Sequence, residues 1–130
     1  MFIDKEVLDA LVEEAKKSPR LRMNKDMRTS SDDQSQRMLN ALEPRTKVPI
    51  HRHKKTTETV AVLRGKVCQK YYDDNGILIR EDIIEASSPC SFYVVPKRMW
   101  HTTECLESGT IIFESKDGAY EPQAIEDIRV

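Results

Sequence analysis

The chain has 130 residues, 38% of them hydrophobic and 33% charged, with a formal net charge of −1. That length suits one domain with a core of its own, and recurring short β-branched runs exclude a disordered chain. No apolar run approaches the roughly 20 residues of a membrane-spanning helix, and three cysteines (Cys68, Cys90, Cys105) with no CxxC pair exclude a disulfide framework and a zinc ribbon.

The N-terminal stretch MFIDKEVLDALVEEAKK carries acids through its apolar positions, so it does not read as a signal peptide, and a cytoplasmic protein is expected. Val7, Leu8, Leu11, Val12 and Ala15 recur at three- and four-residue spacing, which predicts an amphipathic helix over 4–17 with Asp4 as its N-cap. Ser18-Pro19 stops it. Residues 19–35 read as polar and irregular, with a turn at Ser30-Ser31-Asp32-Asp33. From Gln36 onward short strands are expected at about 36–43, 47–51, 58–64, 67–73, 77–85, 91–95, 100–106 and 109–115. Pro44, Gly65, Asn75-Gly76, Pro89, Pro96 and Gly109 punctuate them, and Asn75-Gly76 is a hairpin signal. The pattern predicts a sandwich or a closed barrel. An acidic tail follows from Lys116. The expected organisation is a helix and irregular arm over 1–35, packed on a body over 36–130.

Charge is unevenly spread. Residues 16–66 hold 14 of the 21 Lys and Arg and only five acids, a local charge of +9. No aromatic interleaving or recognition motif accompanies it, so nucleic acid is not the expected partner, and neither is a membrane. A small anionic metabolite fits the asymmetry better.

The three histidines carry the chemistry. His51 and His53 stand two apart, so on an extended strand both rings project to one face. Glu58 follows at the start of the next apolar run, and His101 lies far along the chain after Pro96. Three imidazoles and a carboxylate suit one first-row divalent ion (Zn, Fe, Mn or Ni among them) better than Mg or Ca. The spacing His51-x-His53-x4-Glu58-x6-Gly65, with Pro96-x4-His101 downstream, resembles the two motifs of the cupin superfamily, and that resemblance implies a mainly β, double-stranded β-helix barrel behind the N-terminal helix.

The run from Gln36 to Pro44, the Lys17-Ser18-Pro19-Arg20 stretch and the ending from Phe113 to Pro122 are similar to the WbuC family of cupin metalloproteins. That resemblance implies a carbohydrate or nucleotide-sugar setting in surface-polysaccharide biosynthesis. Cys90, Arg98 and Cys105 stand where the second motif usually has Gly, Gly and Asn. The family's usual histidine near Asn24 to Arg28 has no counterpart.

Further candidate ligand contacts are Arg37 and Asn40, of opposite parity on one strand, Lys54 and Lys55 beside the metal loop, Cys105 four residues after His101, and Tyr120 in the tail. Glu104 is expected to point outward. Tyr71, Tyr72, Ile83 and Ile84 supply apolar residues of both parities on neighbouring strands, which predicts a homodimer. Three functions follow: a metal-dependent isomerase, epimerase or lyase acting on a sugar or nucleotide-sugar, an Fe(II) dioxygenase, and a non-catalytic binding or regulatory module.

Overall fold

The computed structural model describes residues 1–129. Helix α1 (Lys5–Lys17) begins where the Asp4 carboxylate accepts the Val7 N–H at 3.1 Å, satisfying a free amide of the first turn. It ends at Ser18, whose extended backbone precedes Pro19.

Among the described residues ten strands follow: β1 (Arg22–Asp26), β2 (Gln36–Leu42), β3 (Ile50–His51), β4 (Glu58–Arg64), β5 (Lys66–Tyr72), β6 (Leu78–Glu85), β7 (Phe92–Val95), β8 (Trp100–Cys105), β9 (Thr110–Lys116) and β10 (Ile128–Arg129). They form two antiparallel sheets, ordered β1-β2-β9-β4-β7 and β10-β3-β8-β5-β6. The β5–β6 hairpin turns at Gly76, as its Asn-Gly pair predicts. The stretch expected to be irregular contains β1, which pairs along its whole length with β2. Its polar sequence hid it, because Arg22 and Asn24 face an interior that is itself polar.

The expected closed barrel is not what forms. Each sheet stays open, with β1 and β7 as the edges of one and β10 and β6 as the edges of the other, and no ladder joins the sheets among the described residues. Closure requires edge strands to pair. Alternating burial along a strand is satisfied equally well by two stacked sheets, so the strand pattern could not decide between them. The β6 edge carries Arg80-Glu81-Asp82, and the β5–β6 register slips between Tyr71 and Tyr72, both of which oppose further pairing. The architecture is a cupin-like jelly roll of two sheets with a helix on one outer face.

Strand parity divides the interior. Leu39, Ala41 and Ile111 point outward from their sheet and pack under Leu11, Val12 and Ala15 of α1. Leu42, Val60, Val62 and Ile112 point between the sheets and meet Val67, Ile84 and Cys105. This inter-sheet cluster fills one end of the sandwich, and polar groups line the other. Gly65 joins β4 to β5 at φ +77, and a Cβ there would lie 2.8 Å from the Thr110 Cα. The buried Glu43 carboxylate accepts Ser108 Oγ and Gly109 N, each at 2.6 Å, and so fixes the β8–β9 turn. Among the described residues no helix is long and apolar enough to cross a membrane.

Candidate metal centre

His51 and His101 are register partners between β3 and β8, their rings 4.3 Å apart. The β3 strand ends at His51, two residues short of His53, yet His53 stays beside it with ring centroids 5.0 Å apart. Two backbone bonds keep this stretch extended: Arg52 N–H donates to the Asp127 carbonyl at 3.0 Å and Arg98 N–H to the His53 carbonyl at 2.8 Å. Arg98 does so at φ +68, in the left-handed region, at the position where the cupin pattern has glycine. The donor atoms of the three imidazoles all lie within 4.8 Å of one another.

The hydrogen bonds of these rings settle their tautomers. His51 Nδ1 lies 2.8 Å from the Pro49 carbonyl and His101 Nδ1 lies 2.9 Å from the Met99 carbonyl. A carbonyl only accepts, so each Nδ1 carries the proton and each Nε2 presents a lone pair. The Nε2 atoms of His53 and His101 are buried without a hydrogen-bond partner, which costs free energy unless something else binds there. Burial first, then the neighbouring rings, holds the His51 imidazolium pKa down to about 4, and burial likewise lowers that of His101. On His51 and His101 these are neutral, oriented nitrogens that fit a metal ion, and the His51, His53 and His101 cluster is suited to a single divalent one.

Glu58 opens β4 at 5% exposure, with Oε2 3.3 Å from His53 Nε2 and Oε1 4.0 Å from His101 Nε2. The loop before it is held by Asp117, which accepts both the N–H and the hydroxyl of Thr57. Burial works to raise the Glu58 pKa, but the His53 contact and the Lys116 charge, 3.6 Å away, bring it down to about 2. It therefore presents a carboxylate to the cluster.

A cavity of about 330 Å³ opens on this centre, lined by His51, His101 and Glu58 on one side and by Arg20, Arg22, Asn24 and Asn40 on another. Its size lies at the small end of the range for small-molecule sites. Glu114 lines the same cavity, and the Asn40 amide donates to its Oε2 at 2.9 Å. Surrounding protein, and next the charge of Glu58, pushes the Glu114 pKa up to about 8 against the opposing pull of Lys116. Arg20, Arg22, Asn24 and Glu114 escape a search of motifs, since none belongs to one. The available signal was parity: Ile112, Glu114 and Lys116 alternate along β9, and Ile112 faces the core.

The other residues singled out from the sequence are dispersed. Arg37 points away from the cavity and pairs with Asp33 at 2.8 Å, whereas Asn40 faces inward onto Glu114. Lys54 pairs with Glu126 and Asp127, and Lys55 with Glu121. Cys105 donates to the carbonyls of Leu42 and Glu107 within the apolar cluster. Tyr120 lies exposed in the tail with the Arg28 guanidinium 5.5 Å above its ring. Glu104 points outward and pairs with Lys70. A second, larger groove of about 650 Å³ runs beside the tail and shares Lys116 and Gln123 with the first cavity.

A family model described as Domain of unknown function (DUF6016) matches residues 3–84, and the chain belongs to that family. No curated protein matches. Among solved structures, an oxalate oxidase in complex with the substrate analogue glycolate aligns at 14% identity and TM-score 0.61 over 78% of this chain. This chain spans about half of that protein, 53% of its length. The capsular polysaccharide assembling protein CapF from Staphylococcus aureus aligns at 18% identity and TM-score 0.63, over 76% of this chain and 27% of its own. KdgF from Halomonas sp. aligns at 11% identity and TM-score 0.60, over 79% and 84%. At these identities the likeness shows the fold alone, a cupin-like one.

Proposed function

We propose that this DUF6016 member is a metal-dependent enzyme acting on a sugar or nucleotide-sugar, by isomerisation, epimerisation or elimination. The observation that carries the reading is the buried, unpartnered Nε2 of His101, at the wall of a cavity that also holds Glu114. His51, His53 and His101 would hold the ion with Glu58 as fourth ligand, an arrangement the Glu58 distances support. A bound divalent ion supplies Lewis acidity to a carbonyl or hydroxyl oxygen. Glu114 is placed to hold or release a proton in the same cavity, a role that calls for a carboxyl group with a raised pKa. Asn40 fixes its orientation.

The polysaccharide setting rests on the resemblance of 36–44 and 113–122 to WbuC proteins, and the likeness to a capsular polysaccharide assembling protein agrees with it. A sugar fits the smaller cavity, and a nucleotide extension would pass Lys116 and Gln123 into the larger groove.

Metal analysis of protein purified without a chelating tag, followed by assay of nucleotide-sugars for isomer or elimination products, tests this reading. Loss of turnover in Glu114→Gln with metal content unchanged is the expected result. A metal-free protein, or full turnover in that variant, would overturn it. Iron with substrate-dependent oxygen uptake would favour a dioxygenase instead.

A further inference from the structure

The basic residues at the cavity mouth differ from most arginines of the molecule, though Arg45 and Arg98, away from the cavity, are also without an ion pair among the described residues. Arg28, Arg37, Arg52, Arg64 and Arg80 each pair with an aspartate. Among the described residues the side chains of Arg20 and Arg22 make neither an ion pair nor a hydrogen bond, although Arg22 is half-buried. Burial and then the charge of Arg20 pull the Arg22 guanidinium below its ordinary pKa. Glu114, in the same lining, opposes this, but with its pKa at about 8 it is mostly protonated at neutral pH, so the two like charges have little counter-charge, an arrangement that an anion between them would relieve.

The backbone is built to keep them there. Leu21, between the two, takes φ +56, a left-handed conformation that strains a non-glycine residue. It is pinned by three bonds: Leu21 N–H to the Ser18 carbonyl at 3.0 Å, Glu43 N–H to the Leu21 carbonyl at 3.0 Å, and the Thr46 hydroxyl to the Arg20 carbonyl at 2.7 Å. Strain of this kind persists where the surroundings over-determine it, which is common at ligand sites. Deeper in, Asn24 and Asn40 are register partners across β1 and β2, and both line the cavity.

We infer that this cavity binds a small oxyanion-headed polyhydroxy compound, its head group between Arg20 and Arg22, its hydroxyls on Asn24 and Asn40, and its far end at the histidines. Guanidinium forks match the planar geometry of a carboxylate or the oxygens of a phosphate, and amides serve hydroxyls as both donor and acceptor. The far-end contact rests on the proposed metal centre, whereas the head-group site stands on Arg20 and Arg22 alone.

Calorimetric titration of the metal-loaded protein tests this, with gluconate, sorbitol and inorganic phosphate as probes. Gluconate is expected to bind at least tenfold more tightly than sorbitol. Arg20→Gln with Arg22→Gln should weaken gluconate at least tenfold at unchanged metal content and melting temperature, and Arg20→Gln alone, at an exposed position, should move it the same way. Lys54→Gln with Lys55→Gln, whose lysines already pair with tail acids, should change it less than twofold. Tighter phosphate binding with the same arginine dependence supports the site and makes its head group a phosphate. Equal binding of gluconate and sorbitol, no binding of any probe, or an arginine variant that behaves as wild type would overturn it. Arginine-dependent binding by a wild type that holds no metal would sink the metal reading and leave the head-group site standing.

Discussion

His51 and His101, fifty residues apart in the chain, face each other as register partners of β3 and β8 with their rings 4.3 Å apart. The unfolded chain cannot present them together, so metal binding is coupled to folding. His101→Ala is expected to abolish stoichiometric metal binding, read by elemental analysis, and to remove the rise in melting temperature that metal gives the wild type. Arg52→Ala should keep its metal, because the Arg52 side chain turns away to Asp127 at 2.8 Å and to the Trp100 ring at 4.5 Å. Equal metal content in wild type and His101→Ala would refute the centre.

Acid should destabilise even the metal-free protein. The His51 pKa is about 4 when folded against about 6.5 unfolded, and that of His101 is also lowered. Between those values the unfolded chain binds protons that the folded one refuses, so stability falls as pH drops from about 6.5 toward 4 and levels off below. The His51 contribution is at most on the order of 3 kcal/mol. Denaturant midpoints of apoprotein at pH 7 and pH 5 measure it, and a His51→Gln variant should show a smaller difference.

Arg98→Gly should stabilise the fold by up to about 1 kcal/mol, since it relieves a left-handed backbone without losing the Arg98 N–H bond to His53. A lower melting temperature than wild type would show that the Arg98 side chain contributes more than its backbone strain costs.

Gly65→Ala should do the opposite, with a loss of about 2 kcal/mol or more, because φ +77 and the 2.8 Å approach to the Thr110 backbone leave no room for a methyl group. Chemical denaturation provides the number.

Pairing of two copies is expected through the β6 face. Ile79 and Ile83 are 56% and 58% exposed on that edge strand, while Ile84, of opposite parity, is in the core. Ile83→Lys should shift sedimentation from a dimer to a 15.0 kDa monomer. A wild type already monomeric at micromolar concentration would refute it.

The sequence alone determined what depends on neighbours in the chain. The helix with its Asp4 cap, the eight strands from Gln36 to Lys116 and the Asn75-Gly76 hairpin follow from periodicity and turn chemistry, which act over a few residues. The histidine cluster was legible too, because the spacing of His51, His53 and His101 resembles a known motif. Tertiary structure decided the rest. Whether stacked sheets close depends on the pairing of edge strands, which alternation within a strand does not encode. The inward polar wall of Arg22, Asn24, Asn40 and Glu114 was hidden for a related reason. Polar residues at alternating positions look like a solvated face until the opposing sheet is in place, and only then is that face the lining of a cavity.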